Sequence, residues 1–395
     1  MNTVRIAMAG GLIVLLALGS ALAGEPAADP KAAPAAEQGR RVDLAILLDT
    51  SNSMDGLIDA ARMKLWDIVN TLATAKPRPI FRVALYEYGN DNLNRETGWI
   101  RKVLDFTDDL DTVYKELMAL KTRGGTEYVA RVVSAATDDL KWSADKNALK
   151  IIFVAGNEPA TQDPTIKAAA AAKKAIEAGI IVNTIFCGRH EQGVSTGWQE
   201  VAQAADGKYA AINQDRTFAV ATPVDAKLLA LNGELNKTYV AYGAHGASGR
   251  ANQLAGDAAP ATQPDAAQRV VAKAGGLYNN ARWDLVDAAR DKDFKLEAVK
   301  EADLPDEMKK MTPEQRKAHV GEMARKREAV QKEIQQLAVE QRAFIEQARR
   351  EQAGQAGQSL DAALLGALTE QAQAKGFAFA PPATQPESPP AAGGK

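Results

Sequence analysis

Val42-Asp43-Leu44-Ala45-Ile46-Leu47-Leu48 is an apolar run broken only at Asp43, and it ends directly in Asp49-Thr50-Ser51-Asn52-Ser53. A short, nearly continuous apolar run reads as a strand buried on both faces of a parallel sheet. Such a strand needs helices above and below it, which restricts the chain to an α/β architecture. The polar pentad then falls at the carboxyl end of a central strand, where open α/β sheets bind ligands. Asp49, Ser51 and Ser53 place oxygen donors at i, i+2 and i+4 of a tight loop. Hard oxygen donors of this kind suit Mg²⁺ or Mn²⁺, which take a compact octahedron.

Strands and helices alternate from here to about Tyr242. Ile80 to Tyr88 reads as a second strand, and Asn90-Asp91-Asn92-Leu93-Asn94 carries turn chemistry. Trp99 to Leu104 reads as a more polar third strand, antiparallel at the sheet edge. Leu149 to Ala155 and Ile180 to Phe186 are buried strands, and Lys208 to Ile212 is a short last one. Helices are expected at Met54–Thr74, Leu110–Leu120, Tyr128–Leu140, Pro164–Glu177, Trp198–Ala205 and Asp225–Tyr239. The economical answer is a doubly wound, mostly parallel sheet over residues 41–242, closed by its last helix.

The Asp-x-Ser-x-Ser pentad, with a buried strand before it and an apolar-periodic helix after it, resembles the signature of the von Willebrand factor type A domain. That fold also occurs in integrin I domains, and the resemblance covers roughly residues 41–242. It implies a metal-ion-dependent adhesion site. Ser51 and Ser53 would bind the metal, Asp49 would act largely through water, and a threonine and a second aspartate would come from later loops. Arg123-Gly124-Gly125-Thr126-Glu127 fits the threonine loop, with Thr126 as the implied ligand. Its plain alternative role is a helix N-cap. Glu127 adds an acidic neighbour to which the resemblance assigns no role.

The second aspartate has no counterpart. Aligning the family pattern Thr-Asp-Gly-x-Pro on Glu158-Pro159 puts Gly156 where the carboxylate belongs. Asn157 and Glu158 are the nearest replacements, and Asp163 is a more distant one. The site is therefore either a weaker metal site or a degenerate scaffold. A working site would take a carboxylate from a protein partner, the way this family commonly recognises ligands.

The flanks differ in character. Residues 1–23 are expected to be a signal peptide: Arg5 precedes the apolar stretch Ile6 to Leu22, and Ala21-Leu22-Ala23 is a small-x-small cleavage pattern before Gly24. No later run is apolar enough to span a bilayer, so an exported protein, periplasmic or extracellular, is expected. Residues 24–40 read as a disordered leader, and 243–264, rich in Gly, Ala, Ser, Asn and Gln, as a flexible linker. Residues 265–375 read as a helical, coiled-coil-like region, and 376–395 as a disordered tail. Within the helical region, Thr312-Pro313-Glu314-Gln315 opens a long charged helix running to about Glu351. Counted in sevens, Val320, Arg327, Ile334, Gln341 and Ala348 share one seam position, and Met323, Val330, Leu337 and Phe344 the other. The seam is expected to pack on the chain's own helices or to self-associate through residues 313–351.

Function classes narrow by elimination. The 48 basic and 50 acidic residues nearly cancel, which leaves no electrostatic footprint for nucleic acid. Cys187 is alone and forms no internal disulfide. Ser51 and Ser53 lack a Gly-x-Ser-x-Gly elbow, and His190-Glu191 lacks the second histidine of a zinc motif. No catalytic group is evident, and the resemblance implies protein binding, in adhesion or assembly, as the expected function rather than an enzymatic one. The rival reading is a structural protein acting through its long helix.

Overall fold

All of Val42–Leu48 is buried, and the reason is the position of this segment in the sheet. In the computed structural model, which describes residues 40–52, 54–212, 220–260, 262–353 and 360–379, β1 (Arg41–Asp49) is paired in parallel on both sides. Its neighbours are β2 (Ile80–Tyr88) and β4 (Leu149–Gly156). β3 (Ile100–Thr107), β5 (Ile181–Cys187) and β6 (Tyr209–Ile212) complete the order β3-β2-β1-β4-β5-β6. β3 is the antiparallel edge, as its polar sequence predicts. Asp43, the one charge in the central run, is neutralised in place. Arg82 donates to it at 2.9 and 2.7 Å, and the Ser143 N–H at 2.8 Å.

Alternate side chains of β1 feed two cores. Ala45 and Leu47 pack with Ile152 and Val154 under α3 (Val129–Asp139), α4 (Ala168–Glu177) and α6 (Trp198–Gln203). The short α5 (His190–Ser195) precedes α6. Val42, Leu44, Ile46 and Leu48 face the other way, against α1 (Asp55–Ala73) and α2 (Leu110–Ala119).

The closing helix on this second face is not the expected one. α7 (Asp225–Asn236) turns away from the sheet and packs Leu228 and Leu235 against Val270 and Ile334. The sheet is covered instead by α13 (Leu360–Ala374), whose Leu364, Ala367, Leu368 and Ala372 join the core of β1 and β4. Gln371 exchanges amide bonds with Asn183 of β5, at 3.0 and 2.8 Å. Of the expected disordered tail from 376, Phe377 is instead buried in the same core and Ala378 bridges Lys76, and residues 380–395 lie outside the described residues. The expected signal peptide, and all but the last residue of the leader, lie outside the described residues.

Residues 243–264 are a second correction. α8 (Gly246–Ala258) occupies most of this stretch, and α9 (Gln263–Ala274) follows. Small residues serve close packing here rather than flexibility: a Cβ on Gly249 would collide with the Trp283 ring. The pair docks on α1 and α2 through Arg269, which is buried. Its partners are Asp111 at 2.8 Å and Asp257 at 2.7 Å, and its guanidinium lies 4.8 Å from the Trp66 ring centre.

Two short helices, α10 (Leu285–Ala288) and α11 (Asp306–Lys309), lead into α12 (Pro313–Ala353). Its start is the expected capping box: the Thr312 N–H donates to Gln315 Oε1 at 2.8 Å, and the Gln315 N–H to Thr312 Oγ at 3.3 Å. Val320, Arg327, Ile334, Leu337 and Gln341 of the seam are buried against α7, α9, α10 and α11 of this chain. At Phe344 the seven-residue count fails. That side chain is 42 % exposed, and Ile345 is buried instead. A straight helix of 3.6 residues per turn drifts about 20° per heptad from a 3.5 repeat, so the buried stripe moves on by a residue. Among the described residues no helix is long and apolar enough to cross a membrane.

Candidate metal centre

β1 delivers Asp49 to the top of the sheet fully buried, and the loop folds back over it. Asp49 Oδ1 accepts the Ser51 N–H at 2.8 Å, and the Thr50 N–H donates to the Tyr88 carbonyl at 2.8 Å. These bonds fix the strand-to-loop turn on both sides of the carboxylate.

The Arg123–Thr126 loop is fastened across it. The Arg123 N–H donates to the Thr50 carbonyl at 2.9 Å and the Gly124 N–H to Asn52 Oδ1 at 2.7 Å. Asn90 Nδ2 bridges the carbonyls of Thr50 and Lys121, at 3.3 and 2.8 Å. Gly125, at φ +139°, is required here, because a Cβ would collide with the Gly89 carbonyl oxygen. The loops carrying residues 49–52, 89–91 and 121–127 therefore pack backbone on backbone, as the paired glycines predict.

Asp49, Ser51 and Thr126 are brought to this cluster. Thr126 is half-buried, and it is not the cap of the following helix. α3 takes Tyr128 as its N-cap, with no side-chain bond. Ser53 lies outside the described residues. Asn157 contributes through its backbone, whose N–H is directed at the Asp49 carboxylate. Glu158 is exposed and its carboxylate accepts Gln162 Nε2 at 3.3 Å, at the edge of the cluster beside Glu127. Asp163 is committed elsewhere, since Arg131 donates to both its oxygens at 2.8 and 3.0 Å. Against the cost of burial, Arg131 and Thr165 hold that carboxyl well below the usual range.

The residue that sequence reasoning left without a role is Glu127. It is only 6 % exposed, and it approaches Asp49 across the bare face of Gly89. Burial, aided by the charge of Glu158, pushes its carboxyl up to about 7. Burial likewise pushes Asp49 up to about 8, with Glu127 adding to the push and the Ser51 and Asn157 N–H groups opposing it. Two desolvated carboxyl groups this close in sequence-distant loops are an arrangement that a cation relieves.

The polar atoms left over identify the donor set. Among the described residues, Asp49 Oδ2 and Ser51 Oγ are buried with no hydrogen-bond partner of good geometry. Unmade bonds at buried oxygens are costly, of order 1–3 kcal/mol each. The donors are all hard oxygens, with no thiolate or imidazole among them, which fits Mg²⁺ or Mn²⁺ better than softer ions.

No family model matches the chain, and no curated protein does. Among solved structures it is similar to proximal thread matrix protein 1 from the mussel byssus, at 11 % identity and a TM-score of 0.35 over 45 % of this chain. The chain spans 42 % of that protein's length, and one structure of it has a zinc-occupied MIDAS (metal-ion-dependent adhesion site) motif. It is also similar to the conserved hypothetical protein BatB from Bacteroides thetaiotaomicron, at 18 % identity and a TM-score of 0.34 over 44 % of this chain and 90 % of that one. A third likeness is the SpRpn10 VWA domain, at 17 % identity and a TM-score of 0.34 over 44 % of this chain and 88 % of that one. At such TM-scores these likenesses add no weight to the strand order and loop geometry above.

Proposed function

We propose that the von Willebrand factor type A-like domain of this chain is a protein-binding module that works through a divalent cation, Mg²⁺ or Mn²⁺, at the top of its sheet. Asp49 and Ser51 hold the ion, with Thr126 and Ser53 as the further ligands the resemblance implies. When bound, the cation would offer an open coordination position to a carboxylate oxygen of a partner protein. The residues of the chain do the rest. The 89–91 and 121–127 loops fix the donors in place, and the Ser51 and Asn157 N–H groups orient Asp49.

The observation that carries this reading is that two oxygens of the loop after β1, Asp49 Oδ2 and Ser51 Oγ, are buried without a hydrogen-bond partner of good geometry. A scaffold that had lost its ligand would be expected to replace such atoms with apolar ones, since unpaired burial costs stability. The same reading makes the chain a binding protein rather than an enzyme. Export is part of the proposal, supported by the Arg5 and Ile6–Leu22 segment.

Calorimetric titration of Mg²⁺ and Mn²⁺ into the chelator-treated full chain tests it, with Asp49→Ala alongside. Saturable binding that disappears in the variant is the expected result. Absence of binding at millimolar metal would sink the reading.

A further inference from the structure

The missing aspartate raises a question of charge. A divalent ion held by Asp49 as the only carboxylate would be poorly neutralised in a buried site. Gly156 stands where the second carboxylate is expected, and the structure shows why no side chain can stand there. A Cβ at that position would lie 2.5 Å from the Tyr88 hydroxyl and 3.0 Å from Asp49 Oδ2. Tyr88 is buried and its hydroxyl donates to the Ala155 carbonyl at 2.9 Å. The space on the β4 side of Asp49 thus belongs to a phenol anchored from β2.

The opposite side of Asp49 is open to a different carboxylate. A Cβ on Gly89 would lie 2.8 Å from Asp49 Oδ1 and also 2.8 Å from Glu127 Cγ. The two side chains are therefore no further apart than twice that distance, separated by a residue that has no side chain. Gly89 sits at φ +76°, a conformation glycine adopts freely. The Ser51 hydroxyl is buried between the two carboxylates, close enough to lower the pKa of each.

We infer that Glu127 supplies the second carboxylate of the metal site, from the threonine loop rather than from the end of β4. This rests on the metal-binding reading of Asp49 and Ser51 and names the residue that completes it. Glu127 reaches the site because Gly125 and Gly89 let the two loops touch, and Tyr88 with Gly156 closes the usual approach. The site has exchanged the origin of one ligand and kept its charge.

The test uses the full chain, stripped with chelator and titrated with Mg²⁺ and with Mn²⁺, in wild-type, Asp49→Ala and Glu127→Gln forms. Urea unfolding of each metal-free form is measured in parallel. Expected are binding by wild type, none by Asp49→Ala, and at least about tenfold weaker binding by Glu127→Gln. The metal-free stability of Glu127→Gln should match wild type or exceed it, because the isosteric amide removes a repulsion. Binding by Glu127→Gln within twofold of wild type overturns the inference while leaving the metal site standing. Weaker binding together with an equally weakened metal-free fold also overturns it, marking Glu127 as structural. Absence of binding by wild type itself sinks the underlying reading, a distinguishable result.

Discussion

Asp49 is the best place to see how far single residues reveal the site. Its role was legible because a carboxylate directly after a doubly buried strand has one place to go. Glu127 was not legible in the same way. Its direction depends on Gly89 and Gly125, which lie in separate loops and matter only when those loops touch. The Tyr88–Gly156 pair is hidden for a similar reason, since the two strands are joined only through β1. A pH dependence follows at this scale. Asp49, at about 8, and Glu127, at about 7, sit above their ordinary values in the metal-free fold, chiefly through burial. The folded state then holds protons that the unfolded chain releases at lower pH. Their stabilising contribution is whole below about pH 4 and is lost as pH rises through 7 to 8, at up to ~1.4 kcal/mol per unit for each group. Urea unfolding in chelator should therefore show stability falling from pH 5 to pH 8. Asp49→Asn should fall less steeply, and equal slopes would refute the assignment.

Among the elements, strands were easier to read than the contacts of helices. The antiparallel edge β3 and the central β1 follow from which side chains are apolar. α8 is not legible in the composition because glycine and alanine have two uses, and composition does not separate a loose segment from a helix pressed on a tryptophan. The long helix α12 is the intermediate case, since its apolar stripe was clear and its partner was not. The polar members of the stripe were the informative ones. Arg327 is 0 % exposed, donating to Asp284 at 2.6 Å, Asp287 at 2.9 Å, and the hydroxyl and carbonyl of Thr238 at 3.0 and 2.7 Å. Its guanidinium also lies 4.0 Å from the Tyr239 ring centre. Gln341 likewise has a buried partner, Asp225 at 3.0 Å. A charge in an apolar stripe thus marks a specific partner on the same chain. Arg327→Ala would leave Asp284 and Asp287 buried without their cation, at a cost of about 3–5 kcal/mol. Urea denaturation would measure it, and a loss under ~1 kcal/mol would show that the pair has other support.

At the scale of the molecule, the apparent division into a sheet domain and a helical extension fails. Residues 360–379 form part of the sheet's core, and α7 to α9 tie to α1, α2 and α12. A fragment of residues 40–245 would bare the face of β1 and β4 that α13 covers. It is expected to aggregate or to lack a cooperative thermal transition, whereas the full chain melts cooperatively. A monomeric, cooperatively melting fragment, seen by size exclusion and near-ultraviolet dichroism, would contradict this. Nothing in the sequence of α13 says which sheet face it covers, because its apolar side would suit any of them. Its placement has a consequence in time. Arg40, at the head of the first strand, donates to the carbonyl of Lys375, 335 positions later. Contacts of that separation close late, since the entropy of the intervening loop must be overcome before they return anything. During synthesis the part of the sheet face beyond α1 and α2 emerges bare, and it stays bare until residues 360–379 have been made. Over that interval the nascent chain is prone to aggregate and dependent on whatever shields apolar surface, and the arrival of α13 ends that dependence.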